Sequence, residues 1–110
     1  MKREKTLFDD CALSSAMAAL GSRWKPLIVC CLKDKRMRFG QLAAVMELIS
    51  RKVLTDQLRE LENDGILIRE ESKTTGLRVE YRLTAKGHEL ALILNMLEAW
   101  NKRHTLIAAA

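Results

Sequence analysis

The stretch SRKVLTDQLRELENDGILIRE, Ser50 to Glu70, decides the fold. Val53, Leu54, Gln57, Leu58 and Leu61 recur at the spacing of one helix face, while Lys52, Thr55, Asp56, Arg59 and Asn63 fall on the other. Ser50 supplies the N-cap, and Asn63-Asp64-Gly65 supplies the stop. The opening turn carries Arg51 and Lys52 and no acid, whereas the second half of the stretch is acidic. A helix dipole disfavours cations at its N-terminus, by about 0.3–1 kcal/mol each. An anion outside the chain accounts for their placement.

Beyond Gly65 the spacing changes from that of a helix to that of a strand. Ile66 and Ile68 alternate with Leu67 and Arg69, and Leu77, Val79, Tyr81 and Leu83 alternate with Arg78, Glu80 and Arg82. Ser72 to Gly76 is turn material, so the pattern predicts a β-hairpin with a basic tip. Upstream, Asp9 or Asp10 caps a first helix running to about Leu20, with Leu13, Met17 and Leu20 on one face, and Gly21-Ser22 ends it. Trp24-Lys25-Pro26 opens a second helix to about Leu32, apolar almost all round and therefore central, since proline is tolerated in a first turn. Lys33 to Arg38 reads as a charged connection. Phe39 to Met46 reads as a third helix with Phe39, Leu42, Ala43 and Met46 inward. Thr84 caps a last helix from Ala85 to about Arg103.

That last helix is wrapped by Leu90, Ala91, Leu92, Ile93, Leu94, Met96, Leu97 and Trp100. A helix apolar on most of its circumference needs cover on several sides, and a short chain cannot provide all of it. A second subunit is the expected cover, with Leu90, Ile93, Leu94, Leu97 and Trp100 as the interface residues.

Composition agrees with one domain, residues 1–110, mainly α with a small β-hairpin wing. Nearly half of the 110 residues are apolar and only one is proline, which excludes a disordered chain. No apolar run approaches the roughly 20 residues that span a bilayer. Three cysteines, an odd number, argue against a secreted disulfide framework, and the acids before Cys11 do not fit an export signal. A cytoplasmic location is expected. The net charge is +5 and the pI near 9.4, and the excess is localised. Arg23 to Lys52 holds eight cations against two acids, Val53 to Glu71 two against six, and Ser72 to Lys86 four against one. Two basic segments flanking an acidic one describe a surface for a polyanion.

The order of elements is that of a winged helix-turn-helix. In that fold the N-terminal turn of the recognition helix enters the major groove, where cations meet phosphate and base edges. Ser50 and the backbone N–H groups of that turn can hold a phosphate. Arg51, Lys52, Thr55, Asp56 and Arg59 are the exposed candidates on that helix for base and backbone contacts. Arg38 is placed with them, and Lys73, Thr74 and Arg78 form a wing that reaches the adjacent minor groove or its phosphates.

Specific motifs carry a family likeness. Cys11, Gly21-Ser22-Arg23-Trp24, Arg38-Phe39-Gly40-Gln41-Leu42, Ile49-Ser50, Leu54-Thr55, Leu58 to Gly65 and Val79 to Thr84 resemble the HxlR-type regulators of bacteria, winged helix relatives of the MarR group. The resemblance runs from Cys11 to about Trp100. It implies a homodimeric transcriptional regulator of double-stranded DNA whose first helix (about 10–20) and last helix (about 85–103) form the dimer interface, so that a palindromic operator is expected. It also marks Cys11 as the residue through which several members respond to oxidants or electrophiles. This chain has Ala12 after that cysteine, and Gly76-Leu77-Arg78 before the Val-Glu-Tyr motif, where family members usually carry proline.

Other functions find less support. His88 and His104 are the only histidines, and no Gly-rich phosphate loop or paired-carboxylate pattern accompanies them, so catalysis is not expected. Cys30 and Cys31 are adjacent on a helix and point about 100° apart. They read as small buried side chains, and neither a metal site nor a cofactor is expected. A small-molecule effector between the dimer helices and the DNA-binding lobe stays open, as does a winged helix used for protein contacts alone.

Overall fold

The computed structural model describes residues 11–72 and 78–109. Helix α1 spans Ala12–Leu20, α2 Trp24–Leu32, α3 Phe39–Val45 and α4 Arg51–Asn63; strands β2 (Leu67–Ser72) and β3 (Arg78–Leu83) follow, then helix α5, Ala85–Ala109. A further strand, β1, Met37–Arg38, precedes α3. It pairs antiparallel with β3, Met37 opposite Tyr81 and Arg38 opposite Glu80, so the sheet order is β1-β3-β2. The segment expected as a charged connection therefore ends in a strand. Two residues are too few to show an alternation in sequence, and only the hairpin edge they join makes them a strand.

Each element begins and ends for a local reason. The Ser50 Oγ accepts the Val53 N–H at 3.1 Å and caps α4. Gly65 (φ +74°) then turns the chain in the left-handed region, where a side chain would be strained. The Thr84 Oγ1 accepts the Gly87 N–H at 3.1 Å at the start of α5. Ser22 does the same for α2, its Oγ accepting the backbone N–H groups of Trp24 at 3.2 Å and Lys25 at 3.3 Å. Pro26 is the third residue of α2, still within the turn whose N–H groups have no helical partner. The extended Cys11 precedes α1 without a side-chain cap; the expected caps, Asp9 and Asp10, lie outside the described residues, as does the wing tip from Lys73 to Leu77.

The core joins every layer, α1 only through the half-buried Leu20 at its end. Ile28, Val29 and Leu32 of α2 meet Leu42, Leu54, Leu58 and Leu61 of the next two helices, Ile66, Leu67 and Leu83 of the hairpin, and Ala91 and Leu94 of α5. Within α4 the inward face is narrower than expected. Val53 reaches the surface and Gln57 is half-buried, leaving Leu54, Leu58 and Leu61 as its buried residues. Cys30 and Cys31, expected to be buried, are half-buried because α2 is covered on one side only.

Helix α1 buries none of its residues, and Leu13 and Met17 are exposed. Past Leu94, α5 is exposed through Thr105. Leu94 itself, expected at the dimer interface, belongs to the protomer's own core, and Leu90 packs against that core. The apolar stripe of α5 continues from inside the domain to outside it, which periodicity alone does not divide. Ile93, Leu97 and Trp100 are exposed.

Candidate nucleic-acid interface

Helix α4 separates its two chemistries by angle. At about 100° per residue, Arg51, Thr55, Arg59, Lys52 and Asp56 fall within one arc of about 140°, and Leu54, Leu58 and Leu61 lie outside it. All five are exposed. The Arg51 guanidinium stands 5.6 Å from the centre of the Phe39 ring, a cation–π contact that ties the first residue of α4 to the first of α3. The Thr55 Oγ1 donates to the Arg51 carbonyl at 2.8 Å. Arg38 is exposed ahead of α3, and its backbone N–H donates to the Gln41 Oε1 at 2.8 Å.

Arg69 was not among the expected residues. It is exposed on β2 and borders, with Thr55, Arg59 and Tyr81, the concavity between α4 and the sheet. In the hairpin alternation Arg69 shares its face with the buried Leu67, and the packing of α4 across that face brings Arg69 to the concavity. Glu70, its neighbour, falls on the opposite face of the sheet and pairs there with Arg82 across the strands and with Arg36 at 3.6 Å. Arg78 is exposed at the foot of the wing; Lys73 and Thr74 are outside the described residues.

Helix α4 is held from behind by polar contacts as well as by leucines. Lys25 is only 4 % exposed, and its ammonium meets the Glu60 Oε1 at 3.0 Å. Gln57 accepts a hydrogen bond from the Ser22 hydroxyl and donates to the Glu60 Oε2 at 3.2 Å. These contacts fasten α4 to the turn that joins α1 and α2. A buried ammonium without its carboxylate is costly, so Lys25 and Glu60 act as a unit. In sequence they are 35 positions apart, and nothing in their spacing pairs them.

Two open apolar concavities lie away from this face. One of about 570 Å³ lies between α2 and the segment following α3, bordered by Trp24, Leu27, Cys30, Cys31, Met46 and Leu48 among others. The second, between α2 and α5, is bordered by Leu27, Cys30, Leu97 and Trp100. Burial pushes the Cys30 and Cys31 thiols up from their ordinary range; for Cys31 the neighbouring Cys30 adds to the effect.

Residues 19–107 match the HxlR-like helix-turn-helix family. The chain belongs to that family. An HTH-type transcriptional regulator of Methanothermobacter thermautotrophicus is 38 % identical over 94 residues, which cover 86 % of this chain and 72 % of that one. The reduced form of the transcriptional regulator YodB from Bacillus subtilis superimposes with a TM-score of 0.75 at 36 % identity, covering 82 % of this chain and 89 % of YodB. The redox regulator HypR, in its oxidised form, gives a TM-score of 0.77 at 32 % identity over 84 % of this chain and 96 % of HypR. YodB has also been solved bound to quinone and after diamide treatment. This HxlR-like chain is thus a helix-turn-helix transcriptional regulator, as these relatives are named. Among the described residues no helix is long and apolar enough to cross a membrane.

Proposed function

We propose that the protein is a homodimeric, sequence-specific regulator that binds double-stranded DNA with α4 in the major groove. The observation that carries this is the exposed arc of Arg51, Lys52, Thr55, Asp56 and Arg59 at the start of a capped helix, with Arg69 beside it. Cations at that end are disfavoured by the helix itself and are stabilised by phosphate. In this reading Ser50 and Arg38 contact the backbone, Arg51, Lys52 and Arg59 reach phosphates or guanine edges, and Asp56 selects cytosine. Lys73, Thr74 and Arg78 form the wing contacts. Selection from a random duplex pool is expected to return a palindrome, with half-sites about 34–36 Å apart, one helical turn or a multiple of it. Recovery of unrelated sequences at equal affinity would leave only non-specific binding.

The dimer is supported by what the protomer leaves uncovered. Leu13, Met17, Leu92, Ile93, Met96, Leu97 and Trp100 are each more than half exposed. The radius of gyration, 16.7 Å, exceeds the roughly 13 Å expected for a compact domain of this length. A helix with no buried residue does not hold its shape alone, because isolated helices below about 12–15 residues are marginal in water. Helix α1 and the outer half of α5 therefore pack on the partner. Leu97→Glu is expected to give a monomer by sedimentation while leaving the core intact, since Leu97 lies outside it. Leu94→Glu is expected to unfold the protomer instead. A stable dimer of the Leu97→Glu chain would move the interface elsewhere.

Cys11 is proposed as the redox-responsive residue, on the strength of relatives solved in reduced, oxidised and diamide-treated forms. It is half-buried at the start of the uncovered α1, so its modification acts where the partner docks. In one form, two Cys11 thiols of the dimer lose two protons and two electrons to diamide, which is reduced to the hydrazine, and become a disulfide. Diamide is then expected to change DNA affinity in the wild type and not in Cys11→Ser. An equal response in both would assign Cys11 a packing role.

A further inference from the structure

The adjacent thiols of α2 are not accounted for by DNA binding or by Cys11, and Cys30 also borders the second concavity beside Leu97 and Trp100. Neighbouring positions on a helix differ in direction by about 100°, so two such side chains serve one ligand only where both border the same space. Cys30 and Cys31 do: both line the concavity between α2 and the segment Val45–Leu48. Both are free and half-buried. The rest of the lining is mainly apolar, Trp24, Leu27, Val45, Met46 and Leu48, with Arg23 and Glu47 also bordering the space.

We infer that Cys30 and Cys31, with this cavity, form a binding site for trivalent organic arsenicals, compounds that carry one apolar substituent on arsenic. Three observations select that class. Among the described residues no group of three or more His, Cys, Asp or Glu is placed to hold a metal ion, so a bare ion would lack ligands. An organoarsenical needs only two from the protein, because its third bond goes to its own carbon. That substituent is then covered by the apolar wall, as in other small-molecule sites.

Oxidation is the poorer use of the pair. Consecutive Cα atoms are about 3.8 Å apart, whereas disulfides usually need about 4.4–6.8 Å. A disulfide between them would therefore break the last turn of α2. Burial also keeps both sulfurs as neutral thiols, which are slow toward alkylating agents. The arsenical needs no oxidant. Two S–H bonds and the As–O bonds of the arsenoso compound R–As=O break, two As–S bonds form, and one water leaves. Arsenic remains trivalent and sulfur keeps its oxidation state.

The test uses the full-length protein and phenylarsine oxide in the presence of excess glutathione, which as a monothiol competes poorly with a paired site. One arsenical per chain is expected, with free thiols falling from three to one and full reversal by a dithiol such as dithiothreitol. Cys11→Ser should retain the glutathione-resistant adduct. Cys30→Ser and Cys31→Ser, with Cys→Ala versions as folding controls by circular dichroism, should each lose it. A resistant adduct that survives either substitution in a folded chain, or that needs Cys11, overturns the assignment. Leu48 is 83 % exposed and tolerates change, so Leu48→Glu addresses the wall separately. It should weaken phenylarsine oxide binding at least tenfold, and unchanged affinity would show that the cavity does not hold the substituent.

Discussion

Replacing Arg51 and Lys52 together by glutamine should abolish operator binding at moderate salt while leaving the fold intact. Both side chains are exposed, and glutamine keeps helix propensity close to that of the cations it replaces. Within the protomer the change removes the stacking of Arg51 on Phe39, worth about 0.5–1 kcal/mol at an exposed site. The effect on DNA binding is far larger. A dimer loses four cations, and if each met one phosphate the slope of log K against log salt falls by about 3.6. At about 0.1 M salt that is roughly 4,000-fold in affinity from counterion release alone. Binding titrations at several salt concentrations, with melting curves on the same samples, separate the two effects. A folded double variant with unchanged affinity and slope would remove α4 from the DNA interface.

The same substitutions divide backbone contacts from base readout. Lys52→Gln alone, if Lys52 meets only phosphate, weakens all sequences equally and lowers the slope. Arg51→Gln, if Arg51 pairs with a guanine edge, also relaxes preference at one operator position, by about 1–3 kcal/mol.

Most of α4 was legible in the sequence because its signals are local. Ser50, the leucine spacing of α4 and Gly65 specify a start, a face and an end within sixteen residues, and each lies where expected. The hairpin was legible for the same reason. What could not be read were features fixed by elements distant in the chain. Strand β1 exists only because β3 offers it an edge, and Lys25 is buried only because Glu60 arrives from another helix. Arg69 faces α4 for a reason that lies in helix–sheet packing. Leu94 and Leu97 look alike in a heptad pattern, yet one is 7 % and the other 56 % exposed, because the domain ends between them.

Gly87 belongs to the same class, and its substitution carries the largest expected effect on stability. Nothing in Thr84-Ala85-Lys86-Gly87 distinguishes it from a glycine that merely weakens a first helical turn. In the structure it is where α5 crosses the end of the hairpin. A Cβ there would lie 2.1 Å from the Ile66 carbonyl oxygen and 3.1 Å from two atoms of the Leu83 side chain. The oxygen cannot retreat freely, because it accepts the Thr84 N–H at 3.0 Å and the Thr84 hydroxyl at 3.1 Å. Relief requires α5 to lift from the end of the hairpin, which opens the core at Ile66, Leu83 and Ala91. Gly87→Ala should therefore cost about 3 kcal/mol or more, at the upper end of overpacking effects. In a domain of this size that lowers Tm by about 12–24 °C. Gly40→Ala is the matched control, also in the first turn of a helix but with nothing within 4 Å of its Cβ. There the gain in helix propensity, up to about 1 kcal/mol, is unopposed. Both variants must be melted at equal protein concentration, since dimerisation makes Tm concentration-dependent. Opposite signs for the two glycines support the crossing of α5 over the hairpin, and a Gly87→Ala chain as stable as the wild type would refute it.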